Sequence, residues 1–162
     1  MTRSVLHAPT ALFMSALMLI AAGSALADPA PRWRHIGDGK GITGFMDMAS
    51  IVRNGAASSA KVMIVEDAGR TEAGGMDHAV ITMGFDCPGH GNQMQYAVAY
   101  DSTGRKIADA PMDGAMEVAD FTDPETVKMF SIVCDNAPPP PSPEFSTIDS
   151  AVAWARAQGR RT

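Results

Sequence analysis

Between His78 and Cys87 the apolar residues Ile81, Met83, Phe85 and Cys87 share one parity, while Thr82, Gly84 and Asp86 share the other. A period of two marks a strand with one face turned to a core, so Cys87 is expected to point inward. The next segment repeats the pattern, with Met94, Tyr96, Val98 and Tyr100 on one side and Gln93, Gln95, Ala97 and Ala99 on the other. Pro88-Gly89-His90-Gly91-Asn92 between them reads as a turn. Three strand candidates precede this pair: Trp33 to Ile36, Ile42 to Met48 after the turn cluster Asp38-Gly39-Lys40-Gly41, and the β-branched run Lys61 to Glu66 after a Gly/Ala/Ser-rich stretch around Gly55 to Ala60. Gly69 to Gly75 reads as an open hairpin loop and Asp101-Ser102-Thr103-Gly104 as a turn. Arg105 to Ala108 begins a sixth strand, followed by a poorly patterned stretch through Asp120.

The period then changes. Thr122 or Asp123 can cap a helix with Pro124 at its first position and Glu125 in its first turn. Val127, Phe130 and Cys134 follow at i, i+3 and i+7, which places the second cysteine on the apolar stripe. One cysteine on the inner face of a strand and one on the inner face of a helix suit a helix stapled onto a sheet. The predicted fold is therefore α+β: an antiparallel five- to six-stranded sheet with a C-terminal helix packed on one face and tethered by a disulfide.

Residues 136–145 contain Asn136-Ala137-Pro138-Pro139-Pro140-Pro141-Ser142-Pro143, a polyproline-type linker that cannot continue a helix. Beyond it, Ser146 as N-cap with Asp149 three residues later opens an amphipathic helix over 146–162. Ile148, Ala151, Val152 and Ala155 form its apolar stripe, and Arg156, Arg160 and Arg161 suit its C-terminal end. Three sites suit such a tail: its own domain, a partner, or a membrane surface.

The N-terminus changes the picture by assigning a compartment. Arg3, an apolar run from Ala11 to Ala22, and Gly23-Ser24-Ala25-Leu26-Ala27 read as a secretory signal over residues 1–27, cleaved between Ala27 and Asp28. The apolar run is shorter than the roughly 20 residues needed to span a bilayer. No cysteine stands directly after the cleavage site, so the expectation is a soluble periplasmic or secreted protein that is not a lipoprotein. Residues 28–135 then form one domain. In an oxidising compartment the two cysteines of the chain, Cys87 and Cys134, are expected to pair, and closing the loop between them contributes roughly 4 kcal/mol in the chain-entropy model.

Charge and side-chain chemistry narrow the function. The chain carries 13 Lys and Arg against 18 Asp and Glu, a net charge of −5, which gives no footprint for nucleic acid or for anionic lipid. Gly37-Asp38-Gly39-Lys40-Gly41 lacks the spacing of a phosphate loop. Cys87, His90, Cys134 and His78 can be drawn as a zinc site, but zinc requires reduced thiolates, so no metal and no cofactor are expected. His35 and His78 read as strand-surface residues and His90 as a turn residue. No strained Gly-x-Ser-x-Gly turn is present, and the carboxylates Asp109, Asp113, Asp120 and Asp123 sit in predicted loops as solvated charges or caps. The expectation is no catalytic residue and no enzyme. Met63, Met83 and Met94 occupy strand-core positions, which favours packing over soft-metal binding, and Trp33 reads as a core or edge anchor.

Trp33 opening the domain, Gly44-Phe45-Met46-Asp47 with Ser50-Ile51, Phe85-Asp86-Cys87, Tyr96 to Tyr100 followed by Asp101 and Gly104, and Ile132-Val133-Cys134 stand in an order and spacing that resembles the surface-adhesin protein E family. The similarity covers about Trp33 to Asp135. It implies an antiparallel sheet with a disulfide-tethered helix, a non-enzymatic exported bacterial protein, and a protein partner, either a host matrix or serum protein or an envelope protein, with homodimers a further possibility. The family's lipidation cysteine is missing here. An alternative role is a structural or accessory periplasmic protein acting through the C-terminal helix. Intact-mass measurement of the exported protein should place the mature N-terminus at Asp28, and thiol titration after denaturation should find no free sulfhydryl.

Overall fold

The computed structural model describes residues 29–39, 41–67 and 75–159. The expected cleavage site at Ala27 and Asp28, Lys40, most of the Gly69 to Gly75 loop, and Arg160 and Arg161 lie outside the described residues.

Strands β1 (Trp33–Gly39), β2 (Ile42–Asn54), β3 (Ala57–Glu66), β4 (His78–Asp86), β5 (Gly91–Tyr100) and β6 (Lys106–Pro111) form an antiparallel meander. Two short strands, β7 (Glu117–Val118) and β8 (Glu144–Phe145), pair with β5 and β1. The sheet thus has eight strands in the order β6-β5-β4-β3-β2-β1-β8, with β7 beside β5, rather than five or six. Two-residue strands carry no periodicity, which is why β7 and β8 leave no trace in the pattern. The Gly55 to Ala60 stretch is also mostly strand: the β2/β3 turn is confined to Gly55 and Ala56, and Gly55 holds a φ of +62° that favours glycine.

Helix α1 (Pro124–Val133) begins where expected. The Asp123 carboxylate accepts from the Thr126 backbone N–H at 2.9 Å and from its hydroxyl at 2.7 Å, and Pro124 occupies the first turn. Its buried stripe is Thr126, Phe130, Ile132 and Val133, whereas Val127 is exposed, so the helix is rotated from the phase that Val127, Phe130 and Cys134 suggest. Asn136, at a φ of +56°, ends the helix, with the Ala137 N–H donating to the Ser131 carbonyl at 2.9 Å. Arg53 of β2 reaches across to the terminal carbonyls, donating to those of Val133 at 2.8 Å and Ile132 at 2.7 Å. A guanidinium there satisfies orphan carbonyls and complements the negative helix end. The Cys87–Cys134 disulfide, with Cα atoms 5.6 Å apart and 47 residues between them in sequence, fixes the same end to the end of β4.

Helix α2 (Ile148–Gly159) is capped by Thr147 rather than Ser146, its hydroxyl accepting from the Ser150 N–H at 3.2 Å. Its stripe is as expected, with Ala151, Val152 and Ala155 buried. Those residues pack on the sheet of their own chain, on the face opposite α1. Phe45, Met63 and Val65 belong to the α2 cluster, whereas Met46, Ala60 and Val62 belong to the α1 cluster. Adjacent residues of β2 and β3 therefore face different helices, and the sheet is the middle layer of three.

A second staple holds α2. Asp77 is buried between β3 and β4, and its carboxylate accepts from Arg156 of α2 and contacts His78 Nδ1 at 2.9 Å. The staples lie on opposite faces and share no partner, so their losses should add. In urea unfolding, Cys134→Ser should lower stability by roughly 4 kcal/mol and Arg156→Met by about 2–3 kcal/mol, with the double variant near the sum.

Candidate functional site

Register across the sheet dictates what the α2 face displays, because residues directly opposite on neighbouring strands project to the same side. One row runs Trp33, Asp47, Lys61, Thr82, Tyr96 and Pro111 from β1 to β6. The next runs His35, Phe45, Met63, Val80, Val98 and Asp109. A third brings Val65, His78, Tyr100 and Lys106 into line. Helix α2 seats Ala151, Val152 and Ala155 over the β1 to β3 end of these rows, and Trp154 packs against Phe45, Phe145 and His35 with ring centroids 5.1 to 5.9 Å apart. A 12-residue helix does not reach across β4 and β5 as well.

The uncovered part is a trough of about 590 Å³. Val80, Val98, Tyr96, Tyr100 and Ile148 at the start of α2 line it, with the buried Trp33 at its α2 side. Pro29, Ala30 and Pro31 line it on the N-terminal side, where the Arg32 N–H donates to Asp47 Oδ1 at 2.7 Å. A second hollow of about 370 Å³ shares Pro29, Asp47, Lys61 and Thr82 with it. The volume is in the range of ligand sites, and the mixture of aromatic, aliphatic and a few polar groups is typical of them.

The polar groups lining the trough include both donors and acceptors: Asp47, Lys61, Thr82 and the hydroxyls of Tyr96 and Tyr100. Trp33 is 2% exposed and its buried Nε1–H has no hydrogen-bond partner among the described residues. A bare donor of this kind costs about 1–3 kcal/mol. Lys61 has no ion pair among the described residues, and the Tyr100 hydroxyl makes no hydrogen bond there. Asp47 Oδ1 is occupied by the N–H groups of Arg32 and Ala49. The Tyr96 hydroxyl donates to Asp109 at 2.8 Å, which holds the Asp109 carboxyl below the usual carboxylate range with help from Lys106.

The structure redistributes the histidines and methionines. His78 is buried rather than on the strand surface: its ring stacks on Tyr100 at a centroid distance of 4.8 Å and bonds to Asp77. His90, at a φ of +53°, packs against Phe121 and Phe130, and His35 pairs with Asp38 at 3.0 Å. Cys87 and Cys134 are joined to each other, and no group of three or more potential metal ligands occurs among the described residues. Met63 is fully buried and Met83 packs on the α1 cluster, but Met94 is 44% exposed. A bulge explains it: Thr82 pairs with Tyr96 while Met83 pairs with Met94, so Gln95 is an extra residue and Met94 turns to the opposite face from Tyr96. Of the loop acids, Asp123 is the α1 cap and Asp109 lies in β6 bonded to Tyr96.

Parity alone puts Tyr96, Val98 and Tyr100 on one side, but Trp33, Asp47 and Lys61 join them only through register across three more strands. The Asp77, His78, Tyr100 and Arg156 cluster left no spacing to find, since its members come from a loop end, two strands and a helix.

The class the structure defines is a three-layer α+β domain with an antiparallel central sheet and an aromatic trough beside one helix. No family model matches the chain, and no curated protein or solved structure matches it either.

Among the described residues four carboxylates are held below their ordinary range: Asp101 by the Thr103 hydroxyl and then Arg105, Asp109 by Tyr96, Asp123 by the Thr126 hydroxyl, and Glu144 by Arg32 and then Arg34. Depressed folded-state values stabilise above the unfolded values near pH 4 and lose that contribution as pH falls through them. Urea midpoints should therefore drop steeply between about pH 4 and pH 2. Asp101→Asn should flatten that dependence while lowering the midpoint at pH 7.

Proposed function

We propose that the chain is a non-enzymatic exported bacterial protein that holds a protein partner in the trough beside α2. The single observation that carries this reading is the row geometry that leaves Tyr96, Tyr100, Val80 and Val98 uncovered together beside the buried Trp33. Aromatic side chains around an apolar floor are the composition of protein-binding hot spots, and they bury large area at small entropic cost. Export is supported by the signal-like N-terminus and by a disulfide that needs an oxidising compartment. Among the described residues no helix is long and apolar enough to cross a membrane.

The likeness to the surface-adhesin protein E family points the same way, toward a host matrix or serum protein or an envelope protein as partner. The apolar stripe of α2 is spent on its own sheet, so we place recognition on the trough rather than on that helix.

The test is site-specific photocrosslinking in the native host, with p-benzoylphenylalanine replacing Tyr96, which is 38% exposed at the trough. A discrete heavier adduct should appear that is absent when the same group replaces Val118 on β7. An adduct of twice the protein's mass would make a second copy the partner. Equal labelling from both positions, or no adduct from Tyr96, would remove the trough as the binding site.

A further inference from the structure

We infer that β8 and α2 form a strap that an unmatched seam lets lift from the sheet as one unit while the rest of the domain stays folded, and that lifting lengthens the binding face; only this last step rests on the trough being the binding site. Among the described residues three buried side-chain polar atoms have no hydrogen-bond partner, Trp33 Nε1, His35 Nε2 and Ser142 Oγ. All three lie along the seam under the strap, and none under α1. Trp33 stands opposite Phe145 of β8 and belongs to the cluster that Ala151, Val152 and Ala155 bury. The His35 ring packs on Trp154 at a centroid distance of 5.1 Å, with Nε2 3.0 Å from Asp38 but outside hydrogen-bond geometry. Ser142 stands two residues before β8. Docking the strap takes these groups out of water and returns no hydrogen bond, a cost concentrated on one element.

The ties differ between the two helices as well. Helix α1 is held by a covalent bond and by Arg53 on its terminal carbonyls, whereas β8 pairs with β1 only through Trp33 with Phe145 and Arg34 with Glu144. The buried stripe of α2 is made of small side chains, Ala151, Val152 and Ala155, against Phe130, Ile132 and Val133 in α1. The ionic ties of the strap, Asp77 to Arg156 and Glu144 to Arg32 and Arg34, run to arginines whose side chains are 26–56% exposed, where water replaces them readily. Residues 136–143, which join α1 to β8, form no strand or helix, so the strap can lift without unravelling either neighbour. A unit attached in this way opens at a lower free energy than the central strands. Lifting it uncovers Phe45, Met63 and Val65 together with Trp33, in the same rows as Val80, Val98, Tyr96 and Tyr100. The trough then runs unbroken from β1 to β5, and the strap sets how much apolar face a partner meets.

Native-state hydrogen exchange followed by NMR on the exported, disulfide-intact protein tests this. The backbone amides of residues 152–155 and the Trp33 Nε1–H should share one opening constant, roughly tenfold or more above that of the Val62 and Met63 amides in β3. Arg53→Met, on the other face, should speed exchange at Val62 and Met63 by roughly tenfold or more and leave the strap protons unchanged, because α1 stays docked when the strap lifts. Ser142→Ala, which removes one of the unmatched groups, should slow the strap protons severalfold. Coincident exchange of strap and β3 protons, equal acceleration of both by Arg53→Met, different opening constants for the Trp33 indole and the α2 amides, or no slowing by Ser142→Ala would overturn the inference. If Arg53→Met does not fold, the urea dependence of exchange in the unaltered protein carries the test: the strap protons should show a shallower slope than Val62 and Met63, and equal slopes would overturn it. If the strap lifts alone and the Tyr96 crosslink fails, the opening stands and the binding reading falls. If the strap moves only with the whole domain while Tyr96 captures a protein, the reverse holds.

Discussion

Strands β2 and β3 carry buried side chains on both faces, and that double burial is the constraint from which the architecture follows. Phe45 and Met46 are neighbours in sequence, both fully buried, and point in opposite directions, as do Val62 and Met63. A sheet whose central strands are apolar on both sides must be covered on both sides. Helix α1 meets one requirement and α2 the other, each fastened by one strong tie. On the α1 side the tie is covalent, reinforced by Arg53 at the helix end; on the α2 side it is the buried carboxylate of Asp77 reaching Arg156.

Coverage is incomplete because the sheet is wider than a helix. Six meandering strands at about 4.8 Å spacing span more than twice the roughly 10 Å width of a helix. Helix α2 sits over the β1 to β3 side, where β8 and the proline-rich segment deliver it, and the β4 to β5 side is left to Thr82, Tyr96, Val98 and Tyr100. The open trough is thus a consequence of where the chain enters α2. Its polar inventory follows from the same register, which places Trp33, Asp47 and Lys61 in one row with Tyr96.

The edges are handled differently from the faces. Every residue of β6 is exposed, yet the strand begins with Lys106, ends at Pro111, and is bulged where Tyr100 meets Lys106, features that discourage pairing with another chain. Recognition through the face rather than the edge is consistent with that arrangement. Glu144 at the opposite edge binds both Arg32 and Arg34, which locks β8 against β1 and positions the start of α2.

Local spacing and capping chemistry determined the inward aim of Cys87, the start of α1 at Pro124 with Thr122 or Asp123 as its cap, and the apolar stripe of α2, because each depends on residues within a few positions of one another. From these they also determined that the cysteines would join a helix to a sheet. They did not determine the phase of α1, where Val127 is exposed and Thr126 buried, or the side taken by Met94, which a single extra residue at Gln95 reversed. They left open whether the tail helix stayed with its own domain. Only the tertiary structure decided that, and with it the trough, the burial of His78 on Tyr100 and the unpartnered Trp33 donor, because each depends on which residues of distant strands stand opposite one another. Local spacing fixes the direction of a side chain along its own element; the register between elements fixes its neighbours.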